Sequence, residues 1–496
     1  MTDPAARDVF RLAKAVGVLA IIASAVSQEY ASGINFVATQ SLSVYPRVEY
    51  LVPLAMFVTG FVLLPKVALY MRFSRYMPRA GSAYVWIGRT LTVPVSFVVN
   101  FLWWIGLTAA IGVIAFAFGT FLGDAMLSAG LAAGAALLTP MGHIAIGLAA
   151  IWTIYWVHTA GVKIYGLLVQ ILFALVVVSA LVIIGYGFLT PASHFVAAAS
   201  PAAHTPLKAP AASPAPSWGE FLSVCTLFVF AYGGLNAAPT LGGEAVDAER
   251  TMPKGIFWAW ATAVVLFTTV ALAVFTVAPW WALTKLVGAG AAGDATAPGI
   301  IGLVAPHAVA VILNLLVAVI VGKALLPQLL ATSRTAFAWA EDGVFGARFL
   351  HTSAAKTPNA ALALVSGIGS AYLIESATVG WSLGVIIRSF SILVVLGVLA
   401  IGLLTAKFSA RFRNVEWAQQ VTAGWGIVAA AIASLIVAAV LVDSVLVVPK
   451  TPLVFQPAFQ TAIAALVGMG LYWNARRLGE RAGRPVLTIT STPPSE

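Results

Sequence analysis

"SQEYASGIN", Ser27 to Asn35, lies inside a long apolar run that reads as the first membrane helix. It places a carboxylate, a tyrosine and a small-small-Gly turn where lipid-facing helices avoid all three. A spanning helix breaks its own rule here unless something other than lipid faces it. The rest of the chain supplies the answer.

The chain has 496 residues, 61% of them hydrophobic and only 9% charged. Its mean hydropathy is +0.97. A soluble domain with so little charge would expose apolar surface to water, so the composition reads as a polytopic membrane protein. The single cysteine, Cys225, excludes an internal disulfide framework and a cysteine metal site. The opening "MTDPAARDVFRLAK" is short and mixed in charge. The apolar run after it is too long for a cleavable signal peptide and lacks a convincing cleavage site. A formal net charge of +10 is read as topological, carried in cytoplasmic loops, rather than as a nucleic-acid surface.

A spanning helix needs about 20 mostly apolar residues. Twelve segments qualify: 15–38, 50–71, 94–121, 142–159, 163–189, 219–243, 255–283, 300–335, 359–375, 380–406, 419–446 and 454–475. They are long continuous runs, not the short alternating segments of a membrane barrel. With the N-terminus inside, the outer side holds only Arg47, Lys208, Lys285 and Lys450 of the 27 basic residues. Lys66, Lys323 and Arg388 fall within spans, and the remainder lie on the cytoplasmic side. That bias predicts a multi-pass protein of the cytoplasmic membrane with both termini cytoplasmic. Residues 1–14 and 476–496 read as cytoplasmic tails. Residues 190–218 read as an Ala/Pro-rich outer connection whose His194 and His204 are solvated rather than metal ligands. No metal site and no cofactor are expected.

The sixth segment repeats the opening pattern. Tyr30-Ala-Ser-Gly33-Ile34-Asn35 is echoed by Tyr232-Gly-Gly234-Leu235-Asn236 within "FVFAYGGLNAAPT". Each lies in the first span of a five-span group, 15–189 and 219–406, with residues 407–475 as two peripheral spans. An odd-numbered group enters the membrane from opposite sides in its two copies, which is an inverted-topology repeat. Interrupted spans at matching positions point to a midplane binding site. A helix broken there leaves N–H groups on one half and carbonyls on the other. Unwound backbone persists only inside the bundle or beside a cavity. Half-helix N-termini attract a carboxylate and carbonyl ends attract an ammonium, so two such breaks make a cradle for a zwitterion. Tight helix packing is the other reading. It explains the glycines but not Glu29 or the two asparagines.

These features resemble the amino acid–polyamine–organocation transporter superfamily over roughly residues 15–410. "FAYGGLNAAPTLGGEAVDAERTMPKGI" resembles its broken helix and acidic, Pro-containing tail. "SRYMPRAGSAYVWIGRTL" resembles its amphipathic loop into the third span. "SRTAFAWAEDGVFGARFLHTSAAKTPNAALAL" resembles its loop after the eighth, and "ASGINF" its turn in the first. The resemblance implies an all-α, LeuT-like inverted repeat with discontinuous first and sixth spans. It also implies alternating-access transport of amino acids or related amines. Carried onto this chain, Ala31, Ser32, Gly33 and Ile34 would hold a substrate carboxylate through backbone N–H groups. Phe230, Ala231, Tyr232 and Gly233 would hold the amino group through carbonyls, with an aromatic closing over the ligand. Asn236 departs from the pattern, standing where many relatives have an acid. "EAVDAERTMP" carries only part of the usual acidic pair, and the fifth span has no interior lysine.

Ionisable groups at membrane depth are functional candidates. In the implied fold the first and eighth spans are neighbours. Glu29 and Lys323 are therefore expected to face one cavity, as a pair that couples protons or as a structural bridge. Glu29 would alternatively recognise a cationic substrate. Arg388 is a candidate gate residue, a counter-charge for an anionic substrate, or a packing ion pair. Lys66 is read as snorkelling or structural. Trp103, Trp104, Trp280 and Trp281 are read as interfacial or core aromatics. Lys323 sits where sodium would want oxygen ligands, so proton symport or substrate exchange is expected over sodium coupling. A carrier of polyamines or other organic cations, and a nutrient receptor without flux, are the alternatives. An enzyme is disfavoured, since no intramembrane His or Asp cluster is present. Oligomeric state is unreadable.

Overall fold

The computed structural model describes residues 16–79, 81–211, 215–289, 295–355, 357–445, 453 and 456–483, excepting the side chains of 29, 31, 32, 162–166, 381, 443–445 and 457. The expected tail 1–14 and the last part of the other tail lie outside the described residues. Among the described residues the chain is helical, with one isolated parallel bridge between Val16 and Ala245. It is an all-helical polytopic membrane protein.

The first interrupted span comprises α1 (Val18–Glu29), a π-helical stretch Tyr30–Val37, and α2 (Ala38–Val44). Then come α3 (Val52–Val62), α4 (Leu64–Tyr76), the short amphipathic α5 (Ala83–Thr90), α6 (Val93–Ser128), α7 (Pro140–Thr159) and α8 (Val162–Leu189). The second interrupted span is α9 (Trp218–Phe228), a non-helical turn, α10 (Gly234–Ala237) and a 3-10 stretch Ala238–Gly243. After it run α11 (Ala248–Val277), α12 (His307–Glu341), α13 (Asn359–Thr378), α14 (Trp381–Phe408), α15 (Trp425–Val445) and α16 (Pro457–Arg481). Prolines at the starts of α3, α4, α6 and α7 fit the first helical turn, where no N–H partner is lost.

Among the described residues nine helical stretches are long and apolar enough to cross a membrane. Three expected segments differ. The first and sixth are the interrupted spans. The twelfth is the 25-residue α16, whose last turns carry Arg476, Arg477, Glu480 and Arg481.

Helix α6 is the hub. It is apolar on all sides, as a helix buried all round must be. It packs against α12, α13, α14, α7 and α16. Leu181, Val265, Ile312, Leu315, Leu466 and Val467 point outward, which suits lipid as the solvent. The Ala/Pro-rich connection after α8 is more structured than its composition suggests. It carries a helix, Ala192–Ala199, anchored by the buried Phe195 and Ala199.

Candidate functional site

The two interrupted spans meet at mid-length and at one end. At mid-length Gly234 crosses α1. A Cβ at Gly234 would stand 1.9 Å from the Ala25 carbonyl oxygen, so only glycine lets the two backbones approach this closely. At the end, Val16 N donates to Glu244 O at 2.9 Å and Val246 N donates to Val16 O at 3.0 Å.

The first span widens instead of unwinding. Tyr30–Val37 is π-helical, where an expected small-small-Gly turn would have broken the helix. A π stretch keeps its N–H groups bonded within the chain, which an apolar bundle demands. It contains Ala31, Ser32, Gly33 and Ile34. Gly33, Ile34 and Asn35 are buried. The side chains of Glu29, Ala31 and Ser32 lie outside the described residues.

The second span does break. Helix α9 stops at Phe228. Tighter bonds carry the chain onward: Phe230 N to Leu227 O at 3.1 Å, Gly233 N to Phe230 O at 2.8 Å and Asn236 N to Gly233 O at 2.9 Å. Phe230, Ala231 and Tyr232 are fully buried. The Tyr232 hydroxyl donates to Met56 O at 3.0 Å. Its ring lies 5.7 Å from Phe267. Tyr30, its counterpart in the echo, lies 6.1 Å from the same ring and shares a 3.1 Å hydrogen bond with Ser179 Oγ. The two repeated tyrosines thus flank one phenylalanine of α11.

Cations collect around this break. Arg388 of α14 is fully buried. It donates to Gly233 O at 3.2 Å and lies 5.6 Å from the Trp103 ring. Lys66 of α4 is also fully buried, which overturns the snorkelling reading. Its Nζ donates to Asn236 Oδ1 at 2.6 Å, and Asn236 Nδ2 donates to Tyr70 Oη at 2.9 Å. The signal was present in the sequence. Lys66 stands ten residues before Tyr76, about 15 Å of helix, too deep for its side chain to reach the interface. Lys323 of α12 is 4% exposed, and its Nζ has no hydrogen-bond partner among the described residues. Gln28 of α1 and Gln328 of α12 hydrogen-bond to each other, so α12 lines the first interrupted span. Trp103 and Trp104 are core residues, with Trp104 Nε1 donating to Thr332 O at 2.9 Å.

Near Arg79, Arg89 and Arg334 lie polar contacts that sequence reasoning missed. Arg334 and Glu244 form an ion pair at 3.1 Å, with side chains 2% and 1% exposed. Their separation in the chain hid the pairing. The two loop motifs also meet, through Arg79 and Glu341 at 3.7 Å. Burial raises the Asp342 carboxyl above its ordinary value, while the nearby Tyr84 hydroxyl, Arg79 and Arg89 hold it down. Burial and Arg79 pull the Arg89 guanidinium down to about 10, against Asp342, which leaves it charged at neutral pH. Among the described residues no group of three His, Cys, Asp or Glu side chains suits a metal ion.

The family model for amino acid permeases matches residues 15–471. No curated protein matches the chain.

Proposed function

This chain belongs to the amino acid permease family, and from that premise we propose that it is a secondary active transporter carrying amino acids across the cytoplasmic membrane by alternating access, coupled to protons. The observation that carries the reading is the crossing of two interrupted spans at Gly234 and Ala25. The family supports a transporter rather than an enzyme.

In this reading the halves 15–189 and 219–406 form the inverted repeat, and both termini are cytoplasmic, as the Lys and Arg distribution suggests. The substrate sits between the two spans. Backbone N–H groups of Ala31, Ser32, Gly33 and Ile34 turn to its carboxylate when the π stretch opens to receive it. Carbonyls of Phe230, Ala231, Tyr232 and Gly233 face its ammonium, with Asn236 closing the turn. A carbonyl has two lone pairs, so Phe230 O, which accepts from Gly233 N, keeps one site, whereas Gly233 O already accepts from both Asn236 N and Arg388. Arg388 gates the cradle from α14. Glu29 and Lys323 carry the coupling proton. The burial of Lys323 supports that role, since a buried charge is open to control by a neighbouring carboxylate and by substrate. The Arg334–Glu244 pair fastens the end of the second interrupted span to α12.

Purified protein in liposomes tests the proposal. Labelled amino acids are offered with a proton gradient, with a sodium gradient, and with neither but with unlabelled substrate inside. Proton-driven uptake that disappears in Glu29→Gln is the expected outcome. Sodium-driven uptake would sink the coupling assignment. Uptake only against internal substrate would make the protein an exchanger. Binding without flux would make it a receptor.

A further inference from the structure

The chain between α14 and α15 builds a basic hollow that the transport reading does not use. Helix α14 closes at Phe408 and α15 opens at Trp425. Both helices are long and apolar enough to span, so the link between them lies at a membrane surface. Phe408 is 64% exposed and Trp425 73%, with ring centroids 6.5 Å apart. Exposed aromatic rings at the mouths of two spans belong at headgroup depth. Beside them opens a cavity of about 310 Å³, lined by Lys407, Phe408, Ser409, Phe412, Arg413 and Gln419 among others. That volume lies within the range of ligand pockets, about 300–1,000 Å³.

The walls are fixed. Arg72 of α4 donates to Val421 O at 3.1 Å and to Ala423 O at 2.8 Å. Gln419 Nε2 donates to Arg413 O at 2.7 Å. Phe412 is buried, with its ring 5.6 Å from Trp417. The cations divide into two roles. Arg72 and Arg411 bind backbone carbonyls, the latter at Leu91 O, 3.5 Å away. Lys407 and Arg413 line the hollow, and neither joins an ion pair among the described residues. Lys407 Nζ donates to Thr422 O at 3.2 Å, which leaves two of its three donors. Ser409 Oγ accepts from Arg411 N at 3.3 Å, so its O–H remains to be given. From 406 to 425 the one carboxylate is Glu416. It accepts from Gln420 at 3.1 Å and does not line the hollow.

We infer that this hollow binds the phosphate of an anionic phospholipid. Arg413 supplies a planar fork that matches phosphate oxygens, and Lys407 supplies a compact charge. The Ser409 hydroxyl donates a further bond. Phe408 and Trp425 flank the glycerol and the upper acyl chains. A lipid fits better than a soluble phosphate because the cations and the exposed rings share one depth, where a headgroup phosphate already sits. Basic pockets between spans at a membrane surface recruit such headgroups. The inference goes beyond the transport reading and does not depend on it.

Thermal unfolding of the full chain in a neutral detergent tests it. The protein is titrated with short-chain phosphatidylglycerol, with phosphatidylcholine of the same chain length, and with inorganic phosphate. Phosphatidylglycerol should raise the melting temperature saturably, and phosphatidylcholine should not. Arg413→Gln should raise the half-saturating concentration about fivefold, and Lys407→Gln with Arg413→Gln about thirtyfold. Arg413 is exposed, so the single variant keeps the test open even if the double one does not fold. Arg250→Gln with Lys254→Gln removes two exposed cations of α11 that do not line the hollow, and should leave the titration unchanged. An equal response to both lipids would overturn the inference. So would equal weakening by the α11 pair, since attraction would then be diffuse. Inorganic phosphate acting at the same concentration as phosphatidylglycerol would make this a site for a soluble anion and overturn the lipid assignment.

Discussion

The two interrupted spans carry the same sequence pattern and solve it differently. Tyr30–Val37 widens into a π-helix and passes on into α2. Phe228–Gly234 leaves the helix altogether and re-enters it at α10. What differs is the surroundings. The break at Gly233 has Arg388 on its carbonyl and Lys66 on the following asparagine, so side chains take over what the helix gives up. A repeated pattern marks where a span yields, and neighbouring helices decide how far. Polar cost sets the limit, because an unsatisfied backbone group in the bundle is worth several kcal/mol.

The sharpest way to break this comparison is at the end of the second span alone. Glu244→Gln leaves Arg334 buried without its counter-charge, and losing one member of a buried pair costs about 3–5 kcal/mol. Unfolding in detergent should move to markedly lower temperature. The double variant Glu244→Leu with Arg334→Met should recover most of the loss. A single variant that melts like wild type would mean that the pair does not fasten this span.

A smaller effect is expected where the spans cross. Gly234→Ala drives a methyl into the Ala25 carbonyl, and overpacking of this kind costs about 1–3 kcal/mol. Gly185 on α8 has nothing within 4 Å of its own added Cβ. Gly185→Ala should therefore be neutral or slightly stabilising in the same assay. Equal melting of the two variants would show that the crossing tolerates separation.

The smallest effect separates the two tyrosines. Tyr30→Phe loses the bond to Ser179 and Tyr232→Phe loses the bond to Met56 O. Each should cost about 0.6 kcal/mol, the average for membrane side-chain hydrogen bonds, and the two losses should match. A much larger loss for Tyr232→Phe would place the weight of the site on the broken span.

Nine of the twelve expected segments were legible because length and hydropathy encode them directly. The interruptions were legible as a pattern, since Glu29, the glycines and the asparagines all contradict a lipid-facing helix. The form of the first interruption was not. Hydropathy does not distinguish an i→i+4 ladder from an i→i+5 one. Of the two readings of Lys66, its depth in α4 removes snorkelling and leaves the structural one, a buried bond to Asn236. The partners Arg334 and Glu244 were each visible, but no local rule joins residues so far apart in sequence. The helix Ala192–Ala199 was masked by the Ala and Pro content around it, although the bulky apolar Phe195 was there to anchor it.

The bridge between Val16 and Ala245 has a consequence for synthesis. The bonds that fasten the start of the first span belong to residues 244 and 246. They cannot form until the ribosome has added everything between, roughly 10–50 s at 5–20 residues per second. Throughout that interval the first segment, with Gln28 and Glu29 in its interior, lacks both the fastening strand and the glycine against which it will pack. Its final seat in the bundle is therefore a late event, set by the arrival of the second half.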